Sequence, residues 1–283
     1  MELYFLCSLP IELQIGLKEI RRNGCIMTFK LWRKLVSQSI QEMLIDRKSA
    51  ALVFLIGILF FGVEIIAGVV FFEQTETILN WTKTDYLLLV STASSISFMY
   101  QTLFVISHEN LTEYILEGEL EPFLLKPVNS LLYFVLNRID VSSFFNWLIC
   151  LGVQVYFIQN YSMSVLRLVL FAFTMLLAVI LIFILNQLAV SLSFWVEDAD
   201  SILGVPEYLV EFSSRPMVIY PKGIRFFFTW FVPILMGLNL PVLIAKGDSY
   251  QTYLLLLMAL DSLGLLAVYY VWKAGLKRYV SAN

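Results

Sequence analysis

Charge is scarce in this sequence. Asp, Glu, Lys and Arg make up 14% of its 283 residues, against about 25% in an ordinary soluble domain. Too few polar side chains exist to coat a water-soluble globule with a single core, and the shortage of polar residues equally excludes a disordered chain. Histidine is nearly absent: His108 is the single one, which excludes a His-rich zinc site and a His-based triad. The three cysteines, Cys7, Cys25 and Cys150, have no CxxC spacing and draw no disulfide framework. Cys150 sits in an apolar run and reads as a small hydrophobe. GxxxxGK[ST], GxSxG and HExxH are all missing, so the chain has no such device for cradling nucleotide phosphates or for hydrolysis. With a net charge of −3 it lacks the basic surface that nucleic acid requires.

What is abundant is apolar. The hydrophobic share is 59% and the mean hydropathy is +0.80. About 20 helical residues cross a bilayer. Runs of that order lie at Ala51–Phe72, Tyr86–Ser107, within Leu131–Gln159, at Val165–Trp195, Arg225–Ala245 and Tyr253–Trp272. They exceed soluble strand length and lack barrel-like alternation, so helices are the spanning form. The expected fold is an all-α polytopic membrane protein with six transmembrane helices. No repeat or low-complexity linker divides it, so residues 27–283 read as one membrane domain.

Eight of the nineteen basic residues (Lys18, Arg21, Arg22, Lys30, Arg33, Lys34, Arg47, Lys48) precede the first run. Lys273, Lys277 and Arg278 follow the last, with no acid after them. Basic flanks stay in the cytoplasm, which puts both termini there. Residues 1–26 are not a secretory signal. They are expected to be a flexible leader or an annotation extension, because Arg21-Arg22 before Met27 is compatible with a purine-rich ribosome-binding sequence. Residues 28–49 alternate apolar positions (Trp32, Leu35, Val36, Ile40, Met43, Leu44) with Lys30, Arg33 and Lys34 at helical spacing. That pattern describes an amphipathic helix lying on the membrane surface, or one packed on a partner.

Val196–Ile224 has two readings. It is either a cytoplasmic loop, with Arg225–Ala245 as a span, or Ser201–Val218 crosses as a polar helix and Arg225–Ala245 dips in and returns. Pro233, Gly237 and Pro241 suit a break in that run. Both readings give six crossings.

Several polar residues fall within spans. Glu64 and Asp261 lie near span centres, where a carboxyl must pair, be protonated or face a wet cavity. Ser94, Ser97 and Gln101 form a stripe on the second run, with Ser91 and Thr102 nearby, and Asn186-Gln187 sit in the fourth. Each of these either glues helices together or lines a route. The loop 108–130 carries Glu109, Glu113, Glu117, Glu119 and Glu121. Gly118 and a proline on each side of Phe123–Leu125 describe a stiff knuckle, suited to docking in a partner's groove or simply to reversing the chain.

At this knuckle the chain resembles the permease subunits of bacterial type-2 ABC exporters, in a six-span branch with the pattern I-x-x-G-E-L-x-x-x-L-L-x-P. Ile115, Gly118, Glu119, Leu120, Leu124, Leu125 and Pro127 match in order. Lys126 stands where the pattern has Arg, keeping the charge but losing the bidentate fork. Phe194-Trp195, Pro216, Tyr220-Pro221, Pro233 and Leu240-Pro241 extend the likeness from Thr28 to the C-terminus. The resemblance implies a translocation path, with Glu64, Ser94, Ser97, Gln101 and Asp261 as candidates. It makes residues 28–49 an elbow helix and the 108–130 loop the site of a coupling helix, and it favours the re-entrant form of Arg225–Ala245. It also implies separate ABC ATPase subunits, which would hold ATP and magnesium while this chain binds no cofactor. Pairing with a like or unlike permease, contact with membrane lipids, no nucleic-acid partner and a bacterial inner-membrane location complete the expectation. Against it stand a stand-alone proton-driven transporter using Glu64 or Asp261, a membrane enzyme, and a passive partner of an exporter.

Overall fold

The computed structural model describes residues 29–73, 75–126, 129–196 and 204–279. The leader 1–26 and Pro127 lie outside the described residues.

Helix α1 (Phe29–Ile45) carries a stripe with Leu35 and Ser39 buried. The chain passes almost without a loop into α2 (Arg47–Phe71), because the Asp46 side chain caps Ser49 N. A β-hairpin, β1 (Thr77–Ile78) and β2 (Trp81–Thr82), turns at Leu79 and Asn80, both at positive φ. The helix α3 (Lys83–Tyr100) starts on a capping box between Thr82 and Asp85. A π-helical turn, Gln101–Val105, joins it to α4 (Ile106–Leu116). The second run is therefore one long helix, Lys83–Leu116. This shortens the expected 108–130 loop: His108, Tyr114 and Ile115 are helical.

Gly118, at φ 77°, ends α4 in the left-handed conformation. The knuckle then holds the single-turn α5 (Glu121–Leu124) and a short α6 (Ser130–Val135). Helices α7 (Val141–Ile158) and α8 (Val165–Ser191) follow as spans, each with a side-chain N-cap, from Asp140 and Ser164 respectively. Beyond them come α9 (Val205–Ser213), α10 (Lys222–Trp230), α11 (Ile234–Lys246) and α12 (Gln251–Arg278).

Among the described residues five helices are long and apolar enough to cross a membrane, and the α10–α11 pair makes a sixth if it is counted as one span. The two members of that pair meet at 90°. The break sits at Pro233, which precedes α11; Gly237 and Pro241 lie inside a continuous helix. Gly237 serves close packing instead, since a Cβ there would come within 2.8 Å of Leu181 on α8. At nine residues, or about 14 Å, α9 is too short to be a span by itself, so the expected crossing helix over Ser201–Val218 is reduced to that piece among the described residues.

The core sits where α3, α8 and α11 meet. Every residue of α11 from Ile234 to Ala245 is buried, whereas α2 exposes Leu52, Leu55, Leu59, Phe60 and Ile66. Contacts fix relative depth. Gly237 lies against the middle of α8, and Gly247 lies against Arg167 at its start. So α11 fills only half the bilayer depth, from the middle to the end that carries the β-hairpin. That end is closed by Asp85, which accepts from Tyr161 Oη at 2.6 Å and pairs with Lys246 at 3.2 Å. The Lys246 ammonium also sits 4.4 Å from the centre of the Trp81 ring.

Broken backbone at this depth needs internal partners. Asn239 supplies them: its Oδ1 accepts from Met217 N at 2.9 Å, and its Nδ2 donates to the carbonyls of Ser213 and Arg215. Replacing Asn239 with Leu keeps the volume and orphans these three groups. The expected outcome is a loss of about 2–4 kcal/mol, read as a lowered midpoint in thermal unfolding of the detergent-solubilised protein, with increased labelling of a Ser214→Cys reporter.

Candidate functional site

Four of the five residues expected on a path converge. Glu64, Ser94, Ser97 and Gln101 line one cavity of about 410 Å³ between α2, α3, α7, α8 and α9. On α2, Gly57 and Glu64 share a face at i and i+7, and Phe61 stands between them. Gly57 makes room for the amide of Asn146 on α7, which a Cβ there would displace. Ser94 donates to Glu64 at 3.5 Å, and Gln101 Nε2 donates to Ser97 at 3.4 Å. Ser143 donates to Asp140 at 2.5 Å. From α9 come Glu207, Glu211 and Ser214. Glu211 and Arg215 stand within electrostatic reach of Glu64.

Asp261 does not join them. It is buried on α12 in a stripe with Leu257, Val268 and Trp272, on the helix that packs against α8, and neither carboxylate oxygen has a hydrogen-bond partner. The expected pairing of Glu64 and Asp261 on one route is thus replaced by a cavity that holds Glu64 alone of the two.

Toward the knuckle a second, smaller hollow of about 150 Å³ shares Tyr100, Asn186 and Glu207 with the first and adds His108 and Glu109. His108 is buried, 3% exposed. Its Nε2 faces Gln187 Oε1 at 3.1 Å and its Nδ1 faces Tyr100 Oη at 2.7 Å. An amide oxygen only accepts, so Nε2 carries the proton and Nδ1 accepts from Tyr100. Gln187 in turn donates to Ser191. Of the two readings of Gln187, helix glue or route lining, these contacts are of the first kind.

The π-helical turn makes this alignment possible. One added residue rotates everything after it by about 100°, which carries His108, Leu111 and Thr112 onto the face against α8, where Thr112 meets Ser193 at 2.8 Å. The Thr102 carbonyl in that turn accepts from Asp140 N at 3.0 Å.

At the knuckle the expected docking residues divide. Leu120 is fully buried, and Ile115 and Leu124 pack on the core. Glu119, Leu125 and Lys126 face outward, with Leu125 82% exposed. Phe123 packs on Tyr114 and Phe134, and Phe134 stacks on Trp272. Trp272 Nε1 donates to Ser130. Helix α1 is tied to the link before α7 by Ser39, which accepts from Ile139 N, and by the Glu42–Arg138 ion pair at 3.2 Å.

Asn146 and Tyr100 are cavity groups that the sequence leaves unassigned, although a lone Asn in the apolar run of α7 is a usable signal; Glu207 and Glu211 belong to the reading in which the polar segment Ser201–Val218 faces a protein-lined cavity. Among the described residues no group of three or more His, Cys, Asp or Glu could hold a metal ion.

Long apolar helices around a cavity with a polar end define a polytopic helical membrane protein. The family model for ABC-2 family transporter proteins matches residues 58–283, and the chain belongs to that family. It is a transmembrane ABC transporter subunit and sits in a cell membrane. Comparison with curated proteins and with solved structures gave no match.

The Tyr100–His108–Gln187 chain ties α3 and α4 to α8. Changing His108 to Leu leaves the Tyr100 hydroxyl and the Gln187 amide oxygen without partners. A loss of about 2–4 kcal/mol is expected, measured by chemical unfolding in detergent micelles; Tyr100→Phe in the same background is expected to cost little more, because its partner is already gone.

Proposed function

We propose that this subunit forms the translocation path of an ATP-driven exporter and receives its mechanical work at the knuckle, from separate ABC ATPase subunits that hold ATP and magnesium. Association with ABC ATPases and dimerisation are general to the family. The observation that carries the reading is the short connection between the exposed knuckle and the cavity wall: one turn at Gly118, anchored by the buried Leu120, separates the knuckle from α4. Leu125 and Lys126 project from a segment whose Leu120 is locked in the core. From there α4 runs through the π-helical turn into Gln101, which lines the cavity.

A displacement of the knuckle therefore moves a cavity wall rather than being absorbed in a loop. ATP-driven closure of two ATPases would shift the helices of each protomer as a rigid group, provided the knuckle makes different contacts in the two states. The elbow would move with it through Ser39 and Arg138. This reading puts the knuckle and both chain ends in the cytoplasm and the β-hairpin outside, in the inner membrane of a bacterium. The bent α10–α11 pair is read as a re-entrant element, since α11 stops at mid-depth, while α9 and the chain after it carry the polar crossing.

Leu124 and Leu125 are not equivalent, so the test isolates the exposed one. Leu125→Asp is expected to abolish co-purification with the ATPase while the protein still inserts and elutes as a single species. Retained co-purification would overturn the coupling assignment. Orientation is checked separately in intact cells: a cysteine replacing Asn80 is expected to react with a membrane-impermeant maleimide, and one replacing Lys126 only after the membrane is opened.

A further inference from the structure

The charges on the first two helices are unbalanced. On α1 and the first turn of α2, the side chains of Arg33, Lys34, Arg47 and Lys48 are exposed. None of the four makes an ion pair among the described residues, where the pairs are Glu42–Arg138 and Asp85–Lys246. The two acids of this stretch are already engaged. Glu42 is held by Arg138, and Asp46 caps the backbone N–H of Ser49. Four cations therefore face outward with no acid of their own.

A second observation concerns what lies beside them. Ile40, Leu44 and Ile45 of α1 are large, apolar and exposed. The exposed apolar surface continues across the junction into α2. There Lys48, Leu52, Leu55 and Leu59 fall at i, i+4, i+7 and i+11 on one exposed face. Lys48 thus heads the apolar stripe of a membrane-length helix, about 6 Å along the axis from Leu52. On α1, Arg33 shares a face with Ile40 and Leu44, at i+7 and i+11. A cation at the border of such a stripe lays its stem along the apolar surface and holds its charge at headgroup depth.

Charge and apolar surface together specify the partner. An amphipathic helix binds a bilayer through its buried apolar area and the attraction of its cations to acidic lipid. Four basic residues beside a span are enough to select anionic headgroups. We propose that the corner between α1 and α2 is a docking surface for anionic phospholipid, with headgroup phosphates along Arg33, Lys34, Arg47 and Lys48 and acyl chains against Ile40, Leu44, Leu52 and Leu55. The effect reaches past the surface. Ser39 and Glu42 fix α1 to Ile139 and Arg138 in the link before α7, so acidic lipid that holds α1 also holds the entry to α7. The inference rests on α2 being a membrane span; it does not depend on which membrane face α1 occupies or on coupling to an ATPase.

The test uses the full chain in phosphatidylcholine nanodiscs, with or without phosphatidylglycerol, and follows hydrogen exchange over α1. Phosphatidylglycerol is expected to slow that exchange about tenfold, with the link before α7 following it. Added salt is expected to weaken the effect. Arg33→Gln, Lys34→Gln, Arg47→Gln and Lys48→Gln together are expected to abolish it. Lys273→Gln, Lys277→Gln and Arg278→Gln, which remove exposed cations from α12, are expected to leave it in place. Unchanged exchange over α8 verifies that the fourfold variant is folded; should it not fold, Arg33→Gln with Lys34→Gln carries the test, with a smaller loss. Exchange over α1 that ignores phosphatidylglycerol, or that slows equally in the folded Gln variant, overturns the proposal. Two other occupants give distinct results that also overturn it. If inorganic phosphate slows exchange in phosphatidylcholine discs more than chloride of equal ionic strength, the surface is a free-anion site. Protection that appears only in discs holding two copies, whatever the lipid, identifies a second copy. No ATPase is present and both leaflets carry the same lipid, so the result stands or falls apart from the Leu125→Asp and maleimide experiments.

Discussion

Everything in this molecule is arranged around one helix that must hold polar atoms inside a membrane. Helix α3 presents Ser91, Thr92 and Ser95 to its neighbours and Ser94 and Ser97 to a cavity. Hydrocarbon offers these groups nothing; Ser91, Thr92, Ser94 and Ser97 each find a protein partner, while the Ser95 hydroxyl is packed without one. That demand brings α7 close enough for Gln154 to donate to Thr92. The π-helical turn then lets the same helix serve a second partner set, with His108 and Thr112 turned onto α8. Without the added residue, the half nearer the knuckle would present a different face to α8.

From that constraint the working parts follow in order. The half of the helix toward the β-hairpin is held rigid at its end by Asp85, Tyr161 and Lys246. The half toward the knuckle ends at Gly118, where the left-handed conformation releases the chain. Between these ends lies the cavity. A lever fixed at one end, exposed at the other and lining a hollow in between is suited to turning force at a surface into a change of cavity shape. Aromatic stacking from Phe123 through Phe134 to Trp272 extends the lever to α12.

Much of the fold was legible in the chain itself. The expected run Val165–Trp195 is the helix Val165–Phe194, and Tyr253–Trp272 lies inside Gln251–Arg278. Gly118 and Pro122 of the knuckle announced a turn and a short helix start in the right places. The misplacements have physical causes. His108 opens the 108–130 loop in the sequence reading, but α4 continues the helix past it and its neighbours enclose it. Leu120 and Leu124 are apolar residues in a polar loop; Leu120 is buried in the core and Leu124 packs partly against it. Three helix breakers pointed to a break, yet Gly237 is small because Leu181 presses on it, and the break falls at Pro233.

The sequence by itself determined that this chain lives in a bilayer, where its helices lie and which polar residues stand within them, because those properties depend on local composition and length. Only the tertiary structure decided that Glu64 meets Glu211 while Asp261 faces another seam, and that Asn146 and Tyr100 belong to the cavity. The reason is the solvent. In water, apolar periodicity marks the face a helix buries, but in a membrane lipid and protein are equally apolar, so the pattern along a span does not say which side faces a neighbour.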